Sequence, residues 1–99
     1  MNIVKTQEND KLVVALEGRL DTVTAPQLEG ELRSAVTGVS ELIFDLDALD
    51  YVSSAGLRVL LSAQKVMNKQ GTMTIRNVKP EIMEIFEVTG FTDILNIEE

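Results

Sequence analysis

Apolar residues recur along the chain in two rhythms: short β-branched runs and longer stripes at helical spacing. Met1 to Thr6 and Lys11 to Glu17 are runs of the first kind, separated by Asn9-Asp10. Two such runs around a turn-forming dipeptide predict a β-hairpin. Gly18-Arg19-Leu20-Asp21-Thr22 then reads as a loop. At Thr24 the rhythm changes. Thr24-Ala25-Pro26-Gln27 fits a capping box, with Thr at the N-cap and Gln three residues on. Pro26 falls in the first turn, where its missing N–H costs nothing. Leu28, Leu32 and Val36, with Ala35, form a buried stripe. Gly30 weakens this helix without breaking it, and Gly38 ends it.

Glu41 to Leu46 is apolar at nearly every position, as in a central strand covered by helices. Asp45-Leu46-Asp47-Ala48-Leu49-Asp50 leaves the sheet with three carboxylates. Tyr51-Val52-Ser53-Ser54 leads into a long helix from Ala55 to about Lys69, whose apolar face is Leu57, Leu60, Leu61, Ala63, Val66 and Met67. Gly71 suits the position after its end. Thr72 to Asn77 reads as a strand, with Met73 and Ile75 on its inner face. Pro80 opens a third helix with the stripe Ile82, Ile85, Phe86 and Val88, and Gly90 stops it. Ile94 to Ile97 is a short final strand or helical turn. The order β-β-α-β-α-β-α-β predicts an α/β fold: a mixed sheet with parallel pairs and helices packed against it, on one face or on both.

Composition fits one domain over residues 1–99. Leu, Ile, Val and Phe make up a third of the chain, well above the level of disordered segments. No repeat, low-complexity tract or linker interrupts it. Net charge is −7 and the pI about 4.5. Such a surface repels phosphate backbones and anionic lipids, which argues against nucleic acid or membrane insertion and for a partner with a basic face. The chain has no cysteine and no histidine. That removes thiol nucleophiles, thiolate or imidazole metal sites and a Ser-His-Asp triad. No signal-peptide core or spanning segment is present, so a cytoplasmic protein is expected, and the acidic charge favours a monomer.

One stretch carries chemistry. In Val52-Ser53-Ser54-Ala55-Gly56-Leu57, two hydroxyls sit where a loop meets a helix. Ser54 is the better-placed N-cap, because Ala55 starts the helical pattern. Plain capping is one reading of it. The other is a phosphorylation switch: a phosphoserine at a helix N-terminus carries roughly −1.5 to −2 charge and faces free N–H groups. Asp21, Asp47 and Asp50 lie close in the expected fold and oppose that charge. Gly56 in the first turn suits a close approach to the backbone. A nucleophile elbow is only half present, and Ser54 has no histidine to serve as its base. Asp45, Asp47 and Asp50 lack the Gly and distal Glu of a calcium loop, so no metal is expected.

Three pieces in order and spacing resemble the STAS domain, and most closely the bacterial anti-sigma factor antagonists. They are Leu16-Glu17-Gly18-Arg19-Leu20-Asp21 with Thr22, the strand Leu42-Ile43-Phe44-Asp45-Leu46, and Tyr51-Val52-Ser53-Ser54-Ala55-Gly56-Leu57. The resemblance runs almost end to end. It implies a binding module rather than an enzyme. The unphosphorylated form binds an anti-sigma factor that is also a serine kinase, and the sigma factor is freed. ATP-dependent phosphorylation ends binding, and a PP2C-type phosphatase resets it. Aligned on Gly56-Leu57, the resemblance places the phosphoacceptor at Ser54, with Ser53 as the alternative. Ser53 stands where many relatives carry Asp. The switch surface so implied comprises Asp21, Thr22, Asp50, Tyr51, Ser53, Ser54 and Gly56, with no cofactor. The same domain also serves as a scaffold in stress-signalling complexes or as an accessory subunit of lipid or anion transporters.

Overall fold

The computed structural model describes residues 1–98. Strands β1 (Asn2–Glu8) and β2 (Lys11–Leu20) form the expected hairpin, with Glu8 opposite Lys11. Asn9 takes a left-handed φ of 59°, which Asn tolerates better than most residues. Helix α1 (Ala25–Ala35) leads to β3 (Glu41–Val52), α2 (Ser54–Gln70) to β4 (Thr72–Arg76), and α3 (Pro80–Thr89) to a 3₁₀ turn at Phe91–Asp93. The sheet order is β1-β2-β3-β4, antiparallel for the first pair and parallel for the others.

The two parallel crossovers, through α1 and α2, advance in the same direction across the sheet. Right-handed crossovers then place both helices on one face. Leu12, Val14 and Leu16 of β2, Leu42, Phe44 and Leu46 of β3, and Met73 and Ile75 of β4 point into a single core. Leu28 and Leu32 of α1, Leu57, Leu60 and Met67 of α2, and Ile82 and Phe86 of α3 fill it. The opposite sheet face carries Val4, Val13, Ala15, Ile43 and Thr74 in register.

Several boundaries differ from the sequence expectation. β2 does not end at Glu17; Gly18, Arg19 and Leu20 continue it. β3 does not leave the sheet at Asp45 but runs to Val52. Two register shifts, between Ala15 and Glu17 and between Gly18 and Arg19 of β2, let extra residues bulge from β3. Leu46, Leu49 and Val52 thereby stay buried at a spacing of three, which hides the strand from a period-two reading. The Thr24–Gln27 capping box does not form. Thr24 is already helical in its backbone, and its hydroxyl accepts from the Asp21 N–H and lies 2.8 Å from the Arg19 carbonyl. Gln27 reaches along α1 to Glu31 instead.

The expected last strand reduces to one parallel bridge, Ile75 with Ile97, bound through the Asn96 carbonyl and the Glu98 N–H. Val66 and Val88, assigned to buried stripes, are exposed at 41 % and 79 %. Each lies at the outer edge of its stripe, Val66 in a groove between α1 and α2. Gly90 closes α3 in the left-handed conformation, as expected.

Candidate functional site

Because β2, β3 and β4 are parallel, all three helices begin at the same end of the sheet. The segments Asp21–Thr24, Ser53–Ser54 and Asn77–Lys79 therefore share one rim. The Ser53 N–H donates to the Leu20 carbonyl at 2.9 Å, extending the β2–β3 ladder into the turn before α2.

The two serines divide the work differently from the sequence expectation. Ser53, not Ser54, is the N-cap of α2: its backbone is extended and its Oγ accepts from the Gly56 N–H at 3.3 Å. Ser54 is the first residue of the helix. It is exposed, and its hydroxyl makes no hydrogen bond among the described residues. Ser53 is half-buried. The N-cap argument for Ser54 fails, while Ser54 remains the free hydroxyl at the junction.

Gly56 lies beneath the rim rather than on it. A Cβ there would sit 2.6 Å from Leu20 Cγ and 2.9 Å from Val52 Cγ2. The close approach it permits is that of α2 to the ends of β2 and β3, so it belongs to the packing under the site.

Asp21 organises the turn into α1. Its Oδ1 accepts from the Val23 and Thr24 N–H groups at 3.0 and 3.1 Å. The Thr24 N–H bond foremost holds its carboxyl below the ordinary carboxylate range; burial opposes it, and the Val23 N–H, the Thr24 hydroxyl and the Arg19 charge add to the lowering. The Arg19 guanidinium lies 3.8 Å from Asp21 and stacks over the Tyr51 ring, 4.4 Å from its centroid. Thr22 is exposed beside Asp21. At the other end of the rim, exposed Asp50 pairs with Lys79 at 2.9 Å. That hydrogen bond raises the Lys79 pKa, with the charges of Asp50, Glu81 and Asp47 acting in the same sense and burial opposing.

Asp45 accepts from Asn77 Nδ2 at 3.0 Å and lies 3.8 Å from Arg76. Among the described residues no three acidic side chains gather as a metal site. No described helix is long and apolar enough to cross a membrane.

Arg19, Arg58 and Lys79 belong to the site surroundings but were not singled out in the sequence. Arg19 faces Tyr51 only because the second register shift aligns them. Lys79 reaches Asp50 across 29 residues of sequence. Arg58 carried a readable signal, since it lies four residues after Ser54 on the same helix. It lines a hollow of about 210 Å³ with Thr22, Ala25, Pro26 and Ala55. A second groove of about 340 Å³ lies farther down between α1 and α2, against Leu32, Val36, Val59 and Ala63.

The STAS domain family matches residues 2–99 of the chain. BtrV of Bordetella bronchiseptica is 37 % identical over 99 residues, covering 98 % of this chain and 85 % of that protein. The anti-sigma-B factor antagonist of Bacillus subtilis is 33 % identical over 101 residues, covering 98 % and 92 %. In three dimensions the fold matches the Bacillus anti-sigma factor antagonist SpoIIAA, solved in its unphosphorylated form (TM-score 0.78, 17 % identity, 99 % and 88 % covered). The phosphorylated form of SpoIIAA matches as well (TM-score 0.77, 18 % identity, 99 % and 92 % covered).

Proposed function

The chain belongs to the STAS domain family, and on that premise we propose that it is an anti-sigma factor antagonist switched by phosphorylation of Ser54. The observation that carries this reading is the exposed Ser54 hydroxyl at the start of α2, with no hydrogen-bond partner among the described residues and with Asp21, Thr22, Asp50 and Tyr51 on the same rim. Relatives more than 30 % identical across nearly the whole chain, among them an anti-sigma-B factor antagonist, support it.

In the unmodified state the rim offers hydroxyls, the Arg19–Tyr51 stack and carboxylates to the anti-sigma factor, which releases its sigma factor on binding. That partner is also a serine kinase. It transfers the γ-phosphoryl group of ATP to Ser54 Oγ, and the hydroxyl proton leaves. The ester adds roughly −1.5 to −2 charge at the centre of the contact. Like-charge repulsion and desolvation of that group then cost several kcal/mol, on the order of 10²-fold or more in affinity. A PP2C-type phosphatase hydrolyses the ester and restores the binding form. The domain acts in the cytoplasm as a monomeric binding module and not as an enzyme: the chain has no histidine to activate Ser54, and among the described residues its hydroxyl has no hydrogen-bond partner.

Phosphopeptide mass spectrometry after incubation with the partner kinase and ATP tests the assignment. The wild type and Ser53→Ala gain one phosphate at Ser54, Ser54→Ala gains none, and Ser54→Asp binds the partner on the order of 10²-fold more weakly. Phosphate on Ser54→Ala overturns the assignment.

A further inference from the structure

Helix α2 has Arg58, Lys65 and Lys69 and not one carboxylate in its 17 residues, although the whole chain carries −7. At about 100° per residue, Ser54, Arg58, Lys65 and Lys69 fall within roughly 60° of one another, on the side of α2 turned from the core. All four are exposed. Arg58 stands one turn beyond Ser54, where side chains of a helix are neighbours at about 5–6 Å between Cβ atoms. It makes no ion pair among the described residues, whereas Arg19, Arg33 and Arg76 each face a carboxylate. Arg58 also lines the hollow of about 210 Å³ that opens between the first turns of α1 and α2. The carboxylates nearest that hollow are otherwise engaged. Glu29 in its wall pairs with Arg33 at 3.3 Å, and Asp21, beside Thr22, accepts from two backbone N–H groups.

We propose that a phosphate on Ser54 does not project freely but is held by the Arg58 guanidinium over this hollow. The inference rests on Ser54 being the acceptor and deepens that reading. An arginine can meet phosphate oxygens with two parallel N–H donors, a geometry lysine lacks. A phosphate held there is fixed against the first turn of α2, so the off state is a rigid patch of the docking surface in addition to an added charge. Arg58 is thus a positioning residue for the phosphate.

The test installs phosphoserine at position 54 of the full chain during translation, without any kinase. The second ionisation of that phosphate is then followed by ³¹P NMR in wild type, Arg58→Lys and Arg58→Gln, each checked for an unchanged fold by circular dichroism. Free phosphoserine titrates near pH 6. Contact with Arg58 stabilises the dianion, so the wild-type midpoint lies about 0.5 pH unit or more below that of Arg58→Gln, with Arg58→Lys between them. Asp21, Glu29 and the end of α2 are common to all three proteins, so the difference isolates Arg58. Equal midpoints in wild type and Arg58→Gln overturn the proposal. Failure of the partner kinase to modify Ser54 overturns the functional reading instead, and leaves this measurement unaffected.

Discussion

Ser53 and Ser54 are chemically identical neighbours, and backbone geometry alone separates their roles. An extended residue before a helix can turn its oxygen back to a free N–H of the first turn; the first helical residue points its own oxygen outward. Ser53→Ala therefore removes a cap and is expected to cost about 1 kcal/mol in urea unfolding. Ser54→Ala, losing no bond, should stay within about 0.5 kcal/mol of wild type. A larger loss from Ser54→Ala than from Ser53→Ala contradicts this division. Asp21 gives a pH signature at the same scale. Its folded pKa lies below the ordinary value of 3.8. Its contribution to stability is thus present above the unfolded pKa and fades as pH falls through the folded one. The Val23 and Thr24 amide resonances should shift together below about pH 4, with a midpoint under that of an unstructured aspartate, and Asp21→Asn should abolish the transition.

At the scale of elements, the site depends on how closely α2 seats on the ends of β2 and β3. Gly56 sets that distance. Alanine would gain up to about 1 kcal/mol of helix propensity. Its Cβ, however, would lie 2.6 Å from Leu20 Cγ, and both Leu20 and Val52 are buried. Overpacking of a filled core costs about 1–3 kcal/mol, so the packing loss exceeds the propensity gain. Gly56→Ala is expected to lower the urea midpoint with an unchanged slope, and to displace the Ser53–Ser54 amide resonances along with those of Leu20. A stabilised Gly56→Ala would show that the helix has room to shift. The bulged pairing of β2 with β3 acts on the same site from the other side. It brings Arg19 opposite Tyr51, so the rim's aromatic contact is a product of register.

For the molecule as a whole, stability lies in one core on one face of the sheet. Phe44, fully buried in the central strand β3, sits within it, while Val88 near the end of α3 is 79 % exposed. Phe44→Ala is expected to cost about 3–5 kcal/mol, a large share of the roughly 5–15 kcal/mol that holds a domain folded. Val88→Ala should change stability by less than about 0.5 kcal/mol. Comparable losses in chemical denaturation for the two would mean that α3 packs differently. The parallel strands also place three helix starts at one end of the molecule, so a single surface carries the switch and the core lies behind it.

The sequence by itself determined most elements and the motif. The Asn9-Asp10 turn, the stripe through Leu28 and Leu32, the Pro80 start and the Gly90 stop are local signals, set by backbone preference and helical period. The Ser53-Ser54 junction was legible for the same reason. Tertiary structure decided what depends on partners distant in the chain. The extension of β2 and β3 past Glu17 and Leu46 rests on cross-strand pairing with a bulge, which no local period reveals. The choice of one sheet face rests on the direction of the crossovers. Which serine caps and which stays free, and whether Gly56 meets a partner or Leu20, follow from the angle at which α2 meets the sheet. That angle is fixed by side chains more than thirty residues apart in sequence, so it could not be read along the chain.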